Sequence, residues 1–418
     1  FVVATSSAQP LKMRSDSGMR LALRVALFAA IAIALIAPSM AIEEPAQSKP
    51  SKPKGLKTQS AGTYIAQFLK PKKQEQEAAV DLGGFILPAK MAWAVKTTTY
   101  FGLWYFFNIF YNVANKKALN ALNLPWLQSL ACVAVGVPYI FLVWATGVRS
   151  TPNLTKKQIQ QFFPTVVLHS AGNVGGNVAF GAGALGFAHV LKSMEPAFTA
   201  LFGGLITGQW KHPMVYATLI PVMGGVAYAS ASELSFNWLQ FASAMVSNIG
   251  FSLRAVLSKG VMAEWDRKVT KTDGPNVFSL LQIGSTFVTI PFVVMFEGWR
   301  ALFPWTHPNW KEAIGKLDHA GAMITPSYLT QQLILSGLAF QLYYECAYLA
   351  LDAVSPITHS IGNNIKRIVI VITSVIIFGQ KMNTQSMIGS SVAIGGVFLY
   401  SLATEYYADV AKKASKKA

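Results

Sequence analysis

The stretch "SIGNNIKRIVIVITSVIIFG", Ser360 to Gly379, is long enough to cross a membrane, yet it carries two adjacent cations, Lys366 and Arg367. About 20 predominantly apolar residues span the hydrocarbon core of a bilayer. Each cation near the centre of such a span costs about 2.5–3.5 kcal/mol on insertion scales. An intramembrane charge pair of this kind predicts a functional site that supplies a counter-ion.

The composition predicts an all-α polytopic membrane protein. Hydrophobic residues make up 52% of the 418 residues and charged residues only 13%, which excludes an ordinary soluble globular chain. The formal net charge of +17 predicts basic segments beside anionic lipid headgroups and no nucleic-acid binding, because no basic amphipathic helix is present.

Cys132 and Cys346 lie far apart in apolar segments. This spacing predicts neither a disulfide framework nor a metal site, and we expect no cofactor.

The N-terminal region, residues 1–90, reads as a presequence. Residues 19–41 have a basic start, an apolar centre and small residues at the end, as a signal peptide has. The alternative for this segment is a first membrane anchor. Residues 42–90 form a basic linker, rich in Lys, Pro, Ser and Gln in its first part, that is typical of a transit peptide. A signal-like segment followed by a transit-like one predicts delivery to a complex plastid.

Residues 91–403 are predicted to form the membrane domain, followed by a basic C-terminal tail at 404–418. About ten apolar segments have spanning length, and helices are expected because lipid offers no partner to backbone groups. The predicted spans cover residues 95–116, 125–147, 160–180, 185–209, 213–232, 236–258, 276–299, 327–350, 355–379 and 384–403.

Two stretches of the predicted domain resemble each other: "GQWKHPMVYATLIPVMGGVAYAS" begins at Gly208 and "GQKMNTQSMIGSSVAIGGVFLYS" begins at Gly379. At one constant offset, six residues are identical, namely Gly208, Gln209, Gly224, Gly225, Val226 and Ser230 with Gly379, Gln380, Gly395, Gly396, Val397 and Ser401. The offset moves a span by five positions, an odd number, so the two copies lie inverted in the membrane. Two inverted five-helix repeats around a central site are typical of secondary transporters. Shared glycine-rich composition is the alternative explanation.

Two further cations lie inside predicted spans. Lys192 belongs to "FAHVLKSMEPAF" in the fourth span and Arg254 lies towards the end of the sixth. Glu195, three residues after Lys192, offers one way to neutralise it on the same helix face. Arg254 has the alternative of extending its side chain to the membrane surface.

The pair Lys366 and Arg367 has no such internal explanation, because the middle of the ninth span contains no acidic residue. The nearest candidates, Glu345 and Asp352, belong to the eighth span. A cluster of cations with few anions predicts an anionic ligand, and a phosphate monoester carries about −1.5 to −2 charges at neutral pH. Tyr343, in the eighth span, is either a hydroxyl donor to this ligand or an aromatic packing residue.

The charge balance predicts strict exchange. About three cations repel one another in an empty, low-dielectric cavity, whereas a bound phosphate removes most of the excess charge. Only the loaded carrier is then expected to cross. A catalytic function is not predicted, because His169, His189 and His359 lack metal-ligand spacing or a nucleophile partner and are interpreted as core or helix-end residues.

Four segments carry a resemblance to a known family: "FFNIFYNVANKKAL", "FAHVLKSMEPAF", "SFNWLQFASAMVSNIGFSLRAVLSK" and "SPITHSIGNNIKRIVIVITSVIIFG". In this order they resemble the plastid phosphate translocators of the drug/metabolite transporter superfamily, over residues 97–403. The resemblance implies ten helices in an inverted repeat, and exchange of inorganic phosphate for phosphorylated three-carbon or larger compounds across a plastid envelope membrane. It implies that Lys192, Lys366 and Arg367 bind phosphate. It also implies that Tyr343 and Arg254 complete the pocket around phosphate and substrate carbons.

One departure bears on the substrate. Triose-phosphate members of this family carry His at the position of Asn173, and Ser or Thr at that of Gly176, in "HSAGNVGGNVAF". The resemblance therefore favours phosphoenolpyruvate or a broad three-carbon specificity over strict triose-phosphate transport.

The alternatives are a pentose-phosphate, hexose-phosphate or nucleotide-sugar carrier of the same superfamily, or a non-transporting membrane subunit of a photosynthetic complex. The expected partners are inorganic and organic phosphates and membrane lipids, with no nucleic acid and no obligatory protein partner.

Overall fold

The computed structural model describes residues 80–81, 86–87, 89–208, 210–234, 236–263, 265–318, 321–354, 356–380 and 382–415. The signal-like segment 19–41, most of the linker 42–90 and the last three residues lie outside this part of the chain. The division into presequence, membrane domain and tail stays a prediction. The last helix continues through the first part of the predicted tail, up to Ser415.

The described chain is built almost entirely from helices, preceded by a short antiparallel pair of strands, β1 (Val80–Asp81) and β2 (Ile86–Leu87). The helices of the first half are α1 (Ala89–Ala121), α2 (Pro125–Ala134), α3 (Val137–Ala145), α4 (Lys156–Ala182), α5 (Leu185–Leu191), α6 (Glu195–Thr207), α7 (Pro213–Ala217) and α8 (Leu219–Ser232). Those of the second half are α9 (Trp238–Ala263), α10 (Arg267–Thr270), α11 (Gly274–Glu297), α12 (Trp310–Ala313), α13 (Pro326–Ala353), α14 (Pro356–Phe378) and α15 (Thr384–Ser415). Short 3₁₀ turns lie at Lys192–Met194, Trp299–Leu302 and Pro304–Thr306.

Within the described part of the chain, seven helical segments are long and apolar enough to cross a membrane, which confirms the prediction of an all-α polytopic membrane protein. They are Pro125–Ala145, Pro213–Ser232, Trp238–Met262, Gly274–Glu297, Pro326–Ala353, Thr358–Phe378 and Thr384–Ala411. Apolar side chains on their outer faces are exposed, as expected for surfaces that lipid covers.

Local sequence explains where the helices begin and end. Thr155 and Gln158 form a reciprocal capping box at the start of α4, and Asp273 caps α11 through the backbone N–H of Asn276. Gly208 ends α6 in the left-handed conformation with φ of 68°, which glycine adopts at low cost.

The fourth predicted span is interrupted in the middle. Helix α5 ends at Leu191, a 3₁₀ turn covers Lys192–Met194, and α6 starts at Glu195 with Pro196 in its first turn. Proline lacks a backbone N–H and is tolerated in the first turn of a helix but not in its interior, so it favours a helix start at this point. The interruption places Lys192 at a bend within the bundle.

Among the described helices, the contacts are extensive between α1 and α13, α4 and α9, α8 and α15, and α2 and α11, while α5 packs on α14. Large buried aromatic residues fill the centre of the α1–α13 side, among them Trp104, Tyr105 and Phe278. A central cavity lies where α1, α4, α5, α9, α13 and α14 converge.

Polar contacts join the helix ends on either side of this cavity. At one end, the buried Lys116 Nζ donates to the backbone oxygens of Phe180 at 2.6 Å and Gly183 at 2.9 Å, at the C-terminus of α4. A cation at this position also complements the negative end of the helix dipole. At the other end, Arg149 forms an ion pair with Glu345, so the predicted candidate acid Glu345 is engaged outside the cavity.

Candidate functional site

A cavity of about 320 Å³ brings together all six residues singled out from the sequence. Lys192, Lys366, Arg367, Tyr343, Arg254 and Asn173 all line it. They come from four helices and one 3₁₀ turn that are far apart along the chain. The convergence of these side chains is a finding of the structure, while their role in binding remains a prediction.

Lys192 is held by a chain of two hydrogen bonds. Its Nζ donates to Ser247 Oγ at 2.7 Å, and this hydroxyl in turn donates to the backbone oxygen of Gly172 at 2.7 Å. The ammonium group also lies 4.8 Å from the centroid of the Phe251 ring, within the range of cation–π attraction. Neutral groups therefore position Lys192 and leave its charge available to the cavity.

Lys366 sits between two aromatic rings. Its Nζ lies 5.1 Å from the Trp104 ring centroid and 5.7 Å from that of Tyr343. The ring faces attract the ammonium group electrostatically without neutralising its charge. Tyr343 is buried, and its ring also packs 5.4 Å from Tyr111 and 4.3 Å from Tyr344, measured between centroids. Tyr343 therefore packs as an aromatic residue and lines the cavity at the same time.

Arg367 has a carboxylate partner from another helix. Its Nη2 lies 3.4 Å from Oε2 of Glu195, the first residue of α6. Among the described residues the ion pair of Glu195 is with Arg367, and Glu195 forms none with Lys192. The bend at Lys192–Met194 separates Lys192 from Glu195 and turns the carboxylate towards α14.

Arg254 faces the cavity from α9. Its guanidinium carbon lies 5.3 Å from the centroid of the same Phe251 ring that Lys192 contacts. Its Nη1 lies 3.3 Å from Nδ1 of His169 on α4. Arg254 thus belongs to the inner surface of the bundle, and the alternative in which its side chain extends to the membrane surface is not the one seen here.

Asn173 and Gly176 line the cavity on the α4 side. The Asn173 amide nitrogen donates to the backbone oxygen of Ser129 at 3.2 Å, so part of this side chain is used to join α4 to α2. A Cβ atom added at Gly176 would lie 3.8 Å from Lys192 Nζ and 3.4 Å from Ser247 Oγ. A side chain at position 176 would therefore contact the group that positions Lys192.

The lining is electropositive. It contains four cations, Lys192, Arg254, Lys366 and Arg367, and one carboxylate, Glu195. With neutral histidines, the formal charge of these groups is +3, an arrangement that favours a small anion with several oxygen acceptors. No group of three or more His, Cys, Asp and Glu residues suited to a metal ion occurs within the described part of the chain.

Two histidines of the cavity wall were not among the candidate site residues. His189 lines the cavity, and its Nε2 lies 2.8 Å from Oδ1 of Asn112. His359 also lines it and stacks on Trp104 with ring centroids 4.7 Å apart. The sequence led us to interpret both as core or helix-end residues. The spacing of His189, three residues before Lys192, was the signal that places both side chains on the same side of the segment.

Comparison with known proteins assigns the chain to a family. The model of the Triose-phosphate Transporter family matches residues 95–401. The phosphoenolpyruvate/phosphate translocator 1 of Oryza sativa subsp. japonica, a chloroplastic protein, is 36% identical over 325 residues, covering 78% of this chain and 74% of the relative. The chloroplastic triose phosphate/phosphate translocator of Zea mays is 36% identical over 308 residues, covering 74% and 71%. This chain belongs to the Triose-phosphate Transporter family.

Proposed function

We propose that this protein exchanges inorganic phosphate for phosphorylated three-carbon compounds across a plastid envelope membrane. The observation that carries the proposal is the cavity, in which Lys192, Lys366, Arg367 and Arg254 face one carboxylate. Phosphate oxygens accept bidentate hydrogen bonds from a guanidinium group, and the lysines add compact charges. In this proposal Lys192, Lys366 and Arg367 bind the phosphate group, while Tyr343, Arg254 and Asn173 surround the carbon end.

The exchange follows from the charge of the empty site. Cations confined to a low-dielectric cavity repel one another, and closing both ends of the bundle around them is costly. A bound phosphate, with about −1.5 to −2 charges, offsets most of the excess. The loaded carrier then reorients and the empty one does not, which couples the entry of one phosphate compound to the exit of another.

The size of the cavity favours small substrates. Its volume of about 320 Å³ lies near the lower end of the range of about 300–1,000 Å³ that ligand sites cover. Phosphoenolpyruvate, triose phosphate and 3-phosphoglycerate suit such a volume better than nucleotide sugars do. Asn173 in place of His, and Gly176 in place of Ser or Thr, favour phosphoenolpyruvate or a broad three-carbon specificity over triose phosphate alone.

We also propose ten spans in two inverted five-helix repeats. The segments α1, α4 and α5–α6 supplement the seven apolar helices, and α1 and α4 have 33 and 27 residues, more than the ~20 that a span requires. When the ten proposed spans are numbered in chain order, adding or subtracting five converts the close pair of spans 1 and 8 into the close pair of spans 6 and 3. The pairs 2 with 7, 4 with 9 and 5 with 10 map onto themselves.

Details of the repeat support the same symmetry. Gly208 and Gly379, equivalent in the sequence repeat, both follow a helix end and have φ angles of 68° and 61°. A Cβ at Gly225 would collide with the backbone nitrogen of Ala393, and one at Gly396 would lie 2.8 Å from that of Val222. The offset that takes residue 225 to 396 also takes 222 to 393, so these two contacts are equivalent.

The proposed location is a plastid envelope membrane, because the relatives are chloroplastic proteins. We infer a transport role and no enzymatic one, in line with the family. A carrier of pentose or hexose phosphates remains the second candidate, since the Lys366–Arg367 pair suits any phosphate ester. A non-transporting subunit of a photosynthetic complex would have no use for a cation-lined internal cavity.

The test uses the full chain, purified and reconstituted into liposomes that are loaded with phosphate. Uptake of radiolabelled phosphate is measured against external phosphoenolpyruvate, 3-phosphoglycerate, triose phosphate, hexose phosphate, pentose phosphate and a nucleotide sugar. Competition by the three-carbon compounds supports the proposal. Competition by the larger esters alone supports the second candidate, and the absence of any exchange overturns the transport function.

A further inference from the structure

The side chain of His169 lies directly behind the cavity, one helical turn before Asn173 on α4. It is fully buried and is not itself part of the cavity wall. Its Nδ1 lies 3.3 Å from Nη1 of Arg254. Arginine remains protonated in proteins and only donates, so Nδ1 is the acceptor and the imidazole that accepts this bond is neutral.

Two aromatic rings fix the orientation of this imidazole. The Phe251 ring lies 5.7 Å from it and the Phe278 ring 6.2 Å, between centroids. Its Nε2 has no hydrogen-bond partner among the described residues. Among the described residues, the polar contact of the His169 ring is therefore the bond to Arg254.

Neutral partners distinguish two of the four cavity cations, Lys192 and Arg254, from Arg367. Arg367 is paired with the carboxylate of Glu195, whereas Lys192 donates to the hydroxyl of Ser247 and Arg254 to His169. No ion pair of Arg254 with a carboxylate occurs within the described part of the chain. A neutral acceptor fixes the direction of a guanidinium group and leaves its full charge to the ligand, whereas a carboxylate would cancel it.

Arg254 also faces the cavity from a different wall than the Lys366–Arg367 pair. Lys366 contacts Trp104 and Tyr343, and Arg367 contacts Glu195, while Arg254 lies against Phe251 on α9, the ring that Lys192 contacts as well. A ligand whose phosphate occupies the pair on α14 presents its other end elsewhere in the cavity. A free guanidinium group there suits a second anionic group, and a carboxylate accepts its two parallel hydrogen bonds.

We propose that His169 is a positioning residue that holds the Arg254 guanidinium towards the cavity without neutralising it, and so sets the preference for counter-substrates that carry a carboxylate. This inference rests on the proposed exchange function. It assigns to His169 a role in substrate preference, in place of the core packing role that its burial suggests.

Three variants separate the roles of hydrogen bond and charge. His169→Leu removes the acceptor, and His169→Asn retains a neutral acceptor oxygen close to the position of Nδ1. His169→Asp retains the acceptor but adds a negative charge that pairs with Arg254. For each variant, the KM is measured in phosphate-loaded liposomes for three substrates: phosphoenolpyruvate, triose phosphate and inorganic phosphate. Triose phosphate lacks a carboxylate.

We expect the KM of phosphoenolpyruvate to rise about tenfold in His169→Leu and in His169→Asp, the effect of losing one charge-assisted interaction. In His169→Leu the KM values of phosphate and triose phosphate should change by less than about twofold, since each lacks the carboxylate that Arg254 binds. In His169→Asp the added charge should raise all three KM values, and that of phosphoenolpyruvate most. His169→Asn should keep the preference of the native protein. A merely structural role predicts instead that all three KM values change by the same factor, and that result overturns the inference, as does a native preference in His169→Asp.

A second measurement works without transport. Thermal stabilisation of the detergent-purified protein is recorded with phosphoenolpyruvate and with inorganic phosphate. The inference predicts that His169→Asp loses the extra stabilisation by phosphoenolpyruvate and that His169→Asn retains it; equal loss in both variants contradicts it. Should His169→Leu fail to fold, the comparison of Asn with Asp decides. If the native protein binds these ligands but exchanges none of them, the proposed function fails and the role of His169 in binding is still tested.

Discussion

Glu195 Oε2 lies 3.4 Å from Arg367 Nη2, and this contact joins the start of α6 to the middle of α14 across the cavity. It gives one of the four cavity cations an internal counter-ion and leaves the other three without a carboxylate among the residues that line the cavity. A bound phosphate would use the same guanidinium nitrogens. In the proposed function Glu195 therefore competes with the ligand for Arg367, and this ion pair must loosen for phosphate to bind.

Removing this competitor is expected to tighten phosphate binding. Glu195→Gln should lower the KM of phosphate about fivefold, which corresponds to about 1 kcal/mol, and should lower the maximal rate because release becomes slower. Glu195→Asp keeps the charge and is the matched control. Its KM for phosphate should stay closer to the native value. The measurement is phosphate/phosphate exchange over a range of concentrations. A raised KM in Glu195→Gln would show that the carboxylate assists binding.

The two adjacent cations of α14 should be needed for exchange and dispensable for folding. Lys366→Gln and Arg367→Gln each remove a charge-assisted bond to phosphate, and exchange should fall about 10- to 100-fold. The midpoint of thermal unfolding in detergent should stay the same or rise in Lys366→Gln, because repulsion among the cavity cations decreases. Arg367→Lys keeps the charge but loses the bidentate geometry, so it should recover only part of the activity. Full exchange in Lys366→Gln would remove this residue from the site.

Much of the architecture was predictable from the sequence, and the reason is physical. Lipid requires long apolar helices, so hydropathy alone indicates the spans, and cations within apolar stretches mark the site. All four cavity cations were found in this way. Their partners were not, because Glu195 faces Arg367 only after α6 packs near α14, a contact between residues 172 positions apart. The contact of His169 with Arg254 was missed for the same reason, because these two residues are 85 positions apart.

Position 176 should influence the choice of organic phosphate. In Gly176→Ser the added Cβ lies 3.8 Å from Lys192 Nζ, which brings a hydroxyl group close to the ammonium. Combined with Asn173→His, it supplies the two donors that triose-phosphate members carry. We expect the ratio of triose phosphate to phosphoenolpyruvate uptake to rise about tenfold, the effect of one or two hydrogen bonds. An unchanged ratio in the double variant would mean that specificity is determined elsewhere in the cavity.

Lys116 should matter for the stability of the contact between α1 and the C-terminus of α4 and not for substrate affinity. Lys116→Met leaves the backbone oxygens of Phe180 and Gly183 without their shared donor, at a cost of about 1–3 kcal/mol. We expect a lower midpoint of thermal unfolding and a lower maximal exchange rate, with the KM of phosphate unchanged. Lys117→Met is the matched control, because the Asp318 carboxylate that lies 3.9 Å from Lys117 Nζ keeps its hydrogen bonds from Tyr328 and from the backbone N–H of Ala322 when Lys117 is removed. Equal losses in both variants would contradict a specific role for Lys116.

The central claim is that the counter-ion of the cavity cations is the transported phosphate itself. The most direct test is the initial rate of phosphate uptake into liposomes that contain the full chain and are either loaded with phosphate or empty. We expect uptake to be at least about tenfold faster into loaded vesicles. This ratio corresponds to a free-energy barrier about 1.4 kcal/mol higher for reorientation of the carrier without phosphate, because the charges of its cavity are then unbalanced. Equal rates into loaded and empty vesicles would contradict it, because the empty cavity would then cross the membrane as readily as the filled one.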